Sequence, residues 1–480
     1  MPSYTTPEAQ QFAQSQRNSS RLSAILIAIG VHLVIGLIFV FWIVANPFKP
    51  KTDLVIIAPP SNLEQEMEMK NFSTAVQQRP PSSSAQMSKV ITANTVSPII
   101  APIVDEIRDE IVDLGTGFGL GAGTGWGDAG IGDGGFPPPG SPLRDRCTAK
   151  DRKNRLLKGG GDASTEAAVV KGLQYLKGSQ REDGSWGGQY PAAMTGLALL
   201  AFLGHCETPD SREYGETVTK AIVYLTDKAI ASGGPIRSKV DRHWPYEHAI
   251  GTYALCEAFS LMRYGRRKIP KVKDAVELSV PIIINGQQRP GGWVYNYEGD
   301  GPGDTSVAGW QVQALKAASL TGLKFPKLSR TMRRSADFFE DMRGQKGGFG
   351  YRGRAEDKYT LAGVGALSLQ MAGRRGRVKK TLRFILDGPE LKWGANDAAI
   401  YAWYYSTQAF FQEGGSYWEK WNAMFKDEVV NAQNSDGSWP PDGGNGAASS
   451  GGAGADSSLY ATCLSILMLE VYYRYLPATK

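Results

Sequence analysis

An aromatic residue that follows a loop rich in Gly and Asp recurs six times in the last two thirds of this chain, at intervals of roughly 50 residues. The six segments are QREDGSWGG, DRHWPYE, QQRPGGWVY, GQKGGFGY, LKWGAND and QNSDGSWPP. Self-similarity at such a period is typical of proteins that stack one supersecondary unit many times. The repeat therefore constrains the fold more strongly than any other feature of the sequence.

Each repeat predicts one helical hairpin. Amphipathic stretches such as EAAVVKGLQYLKG precede several of the aromatic residues, and a more uniformly apolar stretch such as AAMTGLALLAFLG follows each one. One-sided helices suit an outer ring, and helices that are apolar all round suit a buried inner ring. Six pairs across residues 160–480 thus predict an all-α, closed (α/α)6 toroid. An open solenoid is the alternative, but its last helix should be a polar cap, and SLYATCLSILMLEVYY is apolar.

The N-terminal third predicts a membrane anchor on a long spacer. After a polar tail (residues 1–21), the segment Leu22–Ala45 has no formal charge and is long enough as a helix to cross a bilayer. A signal peptide is the alternative, but its apolar region is normally shorter and no A-x-A site follows. Residues 46–159 are rich in Pro, Ser and Gly and predict a flexible linker. Basic residues flank both ends of the span, so its orientation stays open.

Composition narrows the class of protein. The net charge of +6 over 480 residues is too small to indicate a nucleic-acid partner. The linker contains a formal G-x-G-x-x-G from Gly125 to Gly130, but no strand precedes it and no helix follows, so it predicts no dinucleotide site. The four cysteines lie far apart, which excludes a disulfide-dense scaffold and leaves the redox compartment open.

The segments QREDGSWGG and QNSDGSW resemble the Q-x-x-D-G-S-W repeat of squalene–hopene cyclases and related prenyltransferases. The resemblance covers about residues 160–480 and implies a terpenoid cyclase-like toroid. It also implies that Gln caps a helix and that Trp packs between hairpins. The structural repeat residues are then Gln180, Trp186, Trp293, Trp393, Gln433 and Trp439.

A second resemblance concerns the predicted membrane span. A short tail, one span with an embedded histidine (His32) and a Pro-containing linker resemble the N-terminus of TonB-type energy transducers. In that family a Ser stands four residues before the His, where this chain has Ala28. The resemblance implies a bacterial-type inner membrane, a toroid on the periplasmic side and a proton-channel partner that contacts the span at His32.

The cyclase resemblance also indicates where a proton donor would lie. Class II cyclases protonate a polyprene with a D-x-D-D-T motif, and the counterpart here is Gly303-Asp304-Thr305-Ser306 after Asp300. The central acidic triplet is missing, so Asp304 and Asp300 are incomplete catalytic candidates. The alternative is helix capping, because Asp is a preferred N-cap. Four aspartates stand at predicted starts of inner helices: Asp304, Asp357, Asp397 and Asp456.

The segment Arg242–His248 groups a carboxylate, two imidazoles and two aromatic residues. Glu247 and His248 are candidates for general acid–base catalysis. Glu247 paired with Asp300 or Asp304 would also suit glycan cleavage. The alternative is an ordinary helix start. The zinc-dependent prenyltransferases of the superfamily use Asp, Cys and His ligands, but no histidine here completes that set, so neither metal nor cofactor is predicted.

Aromatic residues of the inner helices predict a pocket for an isoprenoid or a sugar, and the sequence does not rank the two ligands. The candidate ligand-binding residues are Trp244, Tyr246, Trp310, Tyr359, Tyr401 and Tyr405. Connections leaving the inner helices are basic, such as GRRGRVKK, whereas loops entering them are richer in acid. Those basic loops are either solvated or meet an anionic lipid or polymer.

Three functions follow from these observations. The first is a divergent, membrane-anchored module that binds a lipid, glycan or protein partner without catalysis. The second is a class II cyclase acting on a polyprene, with Asp304 as the acid. The third is a glycan-active (α/α)6 enzyme that uses Glu247.

Overall fold

The computed structural model describes residues 147–241, 243–297, 301, 303–353, 356–445 and 449–474. The predicted span 22–45 with His32, the polar tail, the linker up to residue 146 and Asp300 lie outside these residues. Within the described part, no helix combines the length and the apolar content needed to cross a bilayer.

Helices alternate between two rings. The outer-ring helices are α2 (Ala163–Ser179), α4 (Gly215–Ala231), α6 (Val272–Asn285), α8 (Leu328–Met342), α10 (Lys379–Leu386) and α12 (Gly415–Asn431). The inner-ring helices are α3 (Pro191–Gly204), α5 (Trp244–Met262), α7 (Thr305–Leu320), α9 (Tyr359–Met371), α11 (Ile400–Glu413) and α13 (Ser457–Leu469). A helix α1 (Ala149–Lys158) precedes them and a short α14 (Val471–Arg474) follows.

The inner helices form a closed ring. Each packs on the next in chain order, and α13 packs back on α3. Outer helices cover the seams between them; α2, for example, packs on both α13 and α3. The prediction of an all-α toroid of six hairpins is confirmed for the described residues. The β-bridges found among these residues are isolated pairs that do not extend into a sheet.

Burial explains why the inner helices lack a polar face. In α3, every residue after Pro191 is buried, because neighbours surround the helix on all sides. Such packing requires small residues where two helices approach. A Cβ added to Gly196 would lie 2.9 Å from Ile250 Cγ2, and one added to Gly363 would lie 2.7 Å from the backbone nitrogen of Ser406. Glycine therefore allows α3 to approach α5 closely and α9 to approach α11 closely.

One tryptophan hydrogen bond recurs in three of the repeat loops. In three loops the indole Nε1 donates to a carbonyl in the last turn of the preceding outer helix, 10 residues earlier. These bonds are Trp186 to Leu176 O (2.8 Å), Trp293 to Ile283 O (2.8 Å) and Trp439 to Val429 O (2.7 Å). They satisfy carbonyls that a helix end leaves without an intrahelical partner. Trp393 departs from this pattern and lies half-buried, 5.9 Å from the ring of Trp403.

In three of the repeat loops a glutamine joins one hairpin to the next. Gln180 Nε2 donates to Thr217 O of α4 at 2.9 Å, and Gln287 Nε2 donates to Thr331 O of α8 at 2.8 Å. In the last hairpin, Gln433 Nε2 donates to Ala168 O of α2 at 2.8 Å. That bond ties hairpin six to hairpin one and closes the ring.

Helix α1 lies in the segment predicted as linker (residues 46–159). Its sequence, AKDRKNRLLK, is strongly charged and lacks the apolar pattern that would have predicted a packed helix. In the structure Arg152 and Leu156 are nevertheless buried, and Arg152 Nε pairs with Glu166 Oε1 at 3.1 Å. The packed domain therefore includes residues before the predicted boundary at 160.

Substituting Gly363 by Ala tests the glycine contacts. The new Cβ would lie 2.7 Å from the nitrogen of Ser406, so α9 and α11 must separate. We expect the free energy of unfolding to fall by about 1–3 kcal/mol, as measured by chemical denaturation. Gly178→Ala is the matched control, because nothing lies within 4 Å of its Cβ. Equal stability of the two variants would contradict the packing described here.

Candidate ligand-binding mouth

One end of the toroid is formed by the N-termini of the inner helices and the repeat loops that lead into them. Five ring-bearing side chains in this region define what we call the mouth: Tyr190, His243, Tyr246, Tyr295 and Tyr351. His243 is exposed, and the four tyrosines are half-buried. They come from the starts of α3 and α5 and from the loops before α7 and α9. Four successive hairpins therefore contribute to one surface.

The rings of the mouth contact one another. The His243 ring centroid lies 5.8 Å from that of Tyr190 and 5.8 Å from that of Tyr295, both edge-on. Tyr246 and Tyr295 are 5.6 Å apart, also edge-on. These are ordinary separations for interacting aromatic pairs. The arrangement presents a continuous aromatic surface with several ring orientations.

The hydroxyl groups of the mouth form a hydrogen-bonded chain. Tyr295 Oη lies 2.7 Å from Tyr351 Oη, and Tyr246 Oη donates to Tyr295 Oη at 3.3 Å. Tyr246 Oη also lies 2.7 Å from Ser306 Oγ. The guanidinium of Arg352 lies 5.8 Å from the ring centroid of Tyr295 and 5.4 Å from that of Tyr351. Polar groups therefore alternate with ring surfaces across the mouth.

Burial keeps the phenols neutral. It raises the pKa of Tyr190, of Tyr246 and of Tyr351 above the ordinary value for tyrosine, because a phenolate would be poorly solvated there. The hydroxyl groups of these three residues consequently carry their protons at neutral pH and can each donate and accept a hydrogen bond.

Asp304 is held as a helix cap. Its Oδ1 accepts from the backbone nitrogens of Ser306 (2.9 Å) and Val307 (3.2 Å) in the first turn of α7. Its Oδ2 lies 3.6 Å from Arg352 Nε, and the residue is fully buried. An acid that protonates an alkene must present a proton to its substrate, whereas Oδ1 accepts from backbone donors and Oδ2, which accepts no hydrogen bond, faces the Arg352 guanidinium. The geometry favours the capping role for Asp304.

Glu247 performs a similar task between two hairpins. Its Oε2 accepts from the backbone nitrogen of Ala192 at 3.0 Å, at the start of α3, and its Oε1 lies 3.0 Å from Arg237 Nε. Burial raises the pKa of Glu247 to about 7, although the guanidinium and the backbone donors oppose that shift. With 1% of its surface exposed, Glu247 lies beneath the mouth rather than in it.

His248 is a buried structural histidine. Its Nδ1 accepts from the backbone nitrogen of Ile236 at 3.3 Å, and its Nε2 lies 3.2 Å from Ser279 O. Burial lowers its pKa to about 3, so the ring is neutral at ordinary pH. Both nitrogens are used within the protein, so the pair Glu247 and His248 does not form an exposed acid–base site.

Other aspartates hold the loops, although not always as the sequence predicts. Asp456 accepts from the nitrogens of Gly188 and Tyr190, in the loop before α3, at 2.8 and 3.1 Å. Asp357 accepts from loop nitrogens, including that of Gly348 at 2.8 Å, while Lys358 occupies the N-cap position of α9. These carboxylates fix loop geometry rather than cap their own helices.

The expected cap of α11, Asp397, is replaced by a residue from the next hairpin. Asp442 Oδ2 accepts from the nitrogen of Ile400 at 2.9 Å, and Asp442 Oδ1 accepts from the nitrogen of Ser450 at 3.0 Å. Asp442 follows the Trp439 loop, and local sequence does not reveal a contact made 42 residues away.

Most of the predicted ligand-binding aromatics lie elsewhere than in the mouth. Trp310 is buried and stacks on Tyr404 at 5.5 Å, and Tyr405 is buried against both rings. Trp244 is buried against Tyr297 at 4.7 Å. These side chains fill the space between the inner helices. They are core residues that other side chains surround, and they do not line a surface pocket.

Of the remaining candidates, Tyr246 belongs to the mouth and Tyr401 lies directly beneath it. Tyr401 Oη donates to Ser306 O at 3.0 Å, while 7% of the residue is exposed. Tyr359 is half-buried at the start of α9, where Gly388 leaves room for its ring.

Four residues of the mouth are not among the sequence-predicted candidates. A signal exists for two of them, because Tyr295 and Tyr351 each stand two residues after the aromatic residue of their repeat, in WVY and FGY. Tyr190 directly precedes the proline that opens α3. His243 lies within the segment Arg242–His248, whose sequence-predicted candidates are Glu247 and His248.

A basic cavity lies outside the ring, beside α10. This helix has 8 residues, whereas the other outer helices have 14 to 17. The cavity measures about 610 Å³ and lies between the end of α8 and the start of α10. Its charged lining residues are Glu340, Arg343, Arg377, Lys379, Lys380 and Arg383. Part of the basic loop predicted from GRRGRVKK thus lines a concave surface.

No described group of three or more His, Cys, Asp or Glu residues lies close enough together to hold a metal ion.

Comparison with known proteins gives similarities in structure alone. No protein family and no curated protein matches the sequence. An inactive variant of an α-1,6-mannanase from Salegentibacter, in complex with α-1,6-mannotriose, matches with a TM-score of 0.47 and 8% identity over 64% of this chain and 98% of that chain. A type II terpene cyclase from Scytonema, in complex with geranylgeranyl dihydroxybenzoate, matches with a TM-score of 0.42 and 12% identity over 68% of this chain and 99% of that chain. A second variant of the same cyclase gives the same values.

The raised pKa of Glu247 makes stability depend on pH. Below about pH 4.5 both folded and unfolded chains are protonated at this residue; between about 4.5 and 7 only the unfolded chain is ionised. The free energy of unfolding therefore falls as pH rises through this window, by on the order of 3 kcal/mol in all. Glu247→Gln keeps an oxygen acceptor for Ala192 and removes the titration. Between about pH 4.5 and 7 the melting temperature of the unmodified chain should fall relative to that of Glu247→Gln. If the two melting temperatures change with pH in parallel, the raised pKa of Glu247 is contradicted.

Proposed function

We propose that the toroid is a non-catalytic binding module whose mouth takes a neutral glycan. The observation that carries the proposal is the set of half-buried tyrosine rings and hydroxyl groups, Tyr190, Tyr246, Tyr295 and Tyr351, with His243 among them. A sugar offers apolar C–H faces and a rim of hydroxyl groups. Aromatic faces with adjacent donors and acceptors match both features.

The charges around the mouth favour a neutral ligand. Arg237 Nη2 pairs with Asp241 Oδ2 at 2.9 Å, and Lys358 Nζ pairs with Glu356 Oε2 at 2.9 Å. Arg352 faces Asp304 at 3.6 Å. Since these cations and anions compensate one another, a charged ligand gains little there and would disturb existing pairs.

The carboxylates argue for binding rather than glycan cleavage. Glycosidases need two carboxyl groups that flank the scissile bond. Asp304 and Glu247 are both buried, and each accepts backbone hydrogen bonds at the start of an inner helix. Their roles in the fold support a module that holds a glycan without hydrolysing it.

A polyprene cyclase is the second candidate, and the packing of the ring weighs against it. Cyclisation requires a cavity that folds a long apolar substrate and an acid that reaches it. Trp310, Tyr404 and Tyr405 pack on one another between the inner helices, and Asp304 caps α7.

We also propose, from the sequence alone, that residues 22–45 anchor the chain in a bacterial-type inner membrane. The linker would then present the toroid on the periplasmic side. A proton-channel partner that contacts the span at His32 remains part of this proposal.

Glycan binding is tested with the full chain in detergent and four neutral hexasaccharides: maltohexaose, cellohexaose, mannohexaose and N-acetylchitohexaose. Titration calorimetry should detect binding of at least one of them. Tyr295→Ala and Tyr351→Ala should each weaken that binding about tenfold or more, in line with the loss of one aromatic contact. Tyr224→Ala is the control, because Tyr224 is a half-buried tyrosine on outer helix α4.

Two results would overturn the proposal. One is the absence of binding to all four hexasaccharides by the unmodified chain. The other is equal affinity of the mouth variants, the control variant and the unmodified chain. Melting temperatures of all variants establish that each one is folded.

The cyclase alternative is tested by incubating the full chain with squalene and analysing the extracted lipids by gas chromatography and mass spectrometry. We expect no cyclised product from the unmodified chain or from Asp304→Asn. Asn is also a good N-cap, so this variant should retain nearly all of its stability. A product that forms with the unmodified chain and disappears with Asp304→Asn would establish the cyclase instead.

A further inference from the structure

We propose that Cys147 and Cys206 form a disulfide that fastens the start of the domain to the first hairpin of the ring. The two sulfurs lie 3.0 Å apart across 59 residues of sequence. Both residues are 1% exposed. Because a disulfide needs the sulfurs at about 2.05 Å, an approach of roughly 1 Å completes the bond. This inference does not depend on what the mouth binds.

The backbone at Cys206 supports a specific role for its side chain. Cys206 has a φ of +76°, in the left-handed region. It follows His205, the C-cap residue of α3, at a position where helices usually place glycine. A residue with a Cβ is strained in this conformation. The left-handed backbone at Cys206 accompanies the close approach of its sulfur to that of Cys147.

An ionic cluster holds the two segments together at the same place. On α1, Arg152 Nη1 donates to His205 O at 3.4 Å, one residue before Cys206. Arg152 Nε and His205 Nε2 both lie 3.1 Å from Glu166 Oε1. His205 Nδ1 lies 3.0 Å from Glu207 Oε1. The thiols are therefore fixed opposite each other by contacts that do not involve sulfur.

The other two cysteines provide internal controls. Cys256 lies on α5 and Cys463 on α13, both fully buried in the inner ring. Burial raises the pKa of the Cys256 and Cys463 thiols above the ordinary value. Among the described residues the close sulfur pair is that of Cys147 and Cys206, so neither Cys256 nor Cys463 is placed to form a disulfide.

The oxidation proceeds by exchange with an external disulfide, such as oxidised glutathione or a disulfide-bonded oxidoreductase. One of the two cysteines loses its proton, and its thiolate attacks the external disulfide, which releases one thiol and leaves a mixed disulfide. The second cysteine, once deprotonated, attacks the protein sulfur of the mixed disulfide and releases the second external thiol. Two protein thiols are oxidised, and one external disulfide is reduced to two thiols.

The bond would act mainly on the unfolded chain. Closing a loop of 59 residues removes much of the conformational freedom of the unfolded state. It would also fix residue 147, where the N-terminal part of the chain enters the domain, so that force on that part is transmitted to the ring. Disulfides persist in oxidising compartments. Detection of this bond in protein isolated from cells would therefore indicate that the domain lies in such a compartment.

Peptide mapping tests the inference. The full chain is treated with oxidised glutathione, blocked with iodoacetamide under denaturing conditions without reductant, digested and analysed by mass spectrometry. We expect a linked pair of peptides that contains Cys147 and Cys206, together with alkylated Cys256 and Cys463. Alkylation of all four cysteines, or linkage of another pair, would overturn the proposal.

Matched variants separate the bond from general effects of oxidation. A reductant should lower the melting temperature of the unmodified chain by several degrees, and that of Cys256→Ser by the same amount. The melting temperature of a Cys147→Ser, Cys206→Ser double variant should be insensitive to the reductant. If the reductant shifts the double variant as much as the unmodified chain, the bond does not exist in the folded protein.

Discussion

The bond between Gln433 Nε2 and Ala168 O joins the last hairpin to the first, and the rest of the structure depends on that closure. A stack of six hairpins left open would expose the apolar flanks of its terminal inner helices. Closure places α13 against α3 and surrounds every inner helix with neighbours. The cost is a requirement for small residues, met at positions such as Gly196 and Gly363.

Closure also explains the use of carboxylates at the mouth. Each inner helix begins with backbone nitrogens that lack intrahelical partners, and they lie in a crowded ring. Side chains from other segments supply acceptors: Glu247 for α3 and Asp442 for α11, while Asp456 holds the loop before α3. The acidic residues that were catalytic candidates, Glu247 and Asp304, thus accept hydrogen bonds from backbone nitrogens at helix starts. The mouth itself is lined by aromatic rings and hydroxyl groups.

The parts of the structure that recur locally were predictable from sequence. The 3.6-residue periodicity and the Gly–Asp–aromatic loops predicted six hairpins and the ring. Contacts between distant residues were not: Asp442 caps α11 in place of Asp397, and charged α1 packs through Arg152. The aromatic candidates also divide in a way that helix position alone does not reveal. Tyr246 faces the mouth, but Trp310 fills the core.

Hydrogen–deuterium exchange of the full chain, with and without the hexasaccharide that binds most tightly, would show where on the toroid the glycan binds. We expect slower exchange in the loops that carry the mouth, at residues 186–191, 243–246, 293–297 and 349–353, because ordering of these segments by the glycan suppresses local opening. Slower exchange confined to the basic loop at residues 373–380, with the mouth unchanged, would contradict glycan binding at the mouth.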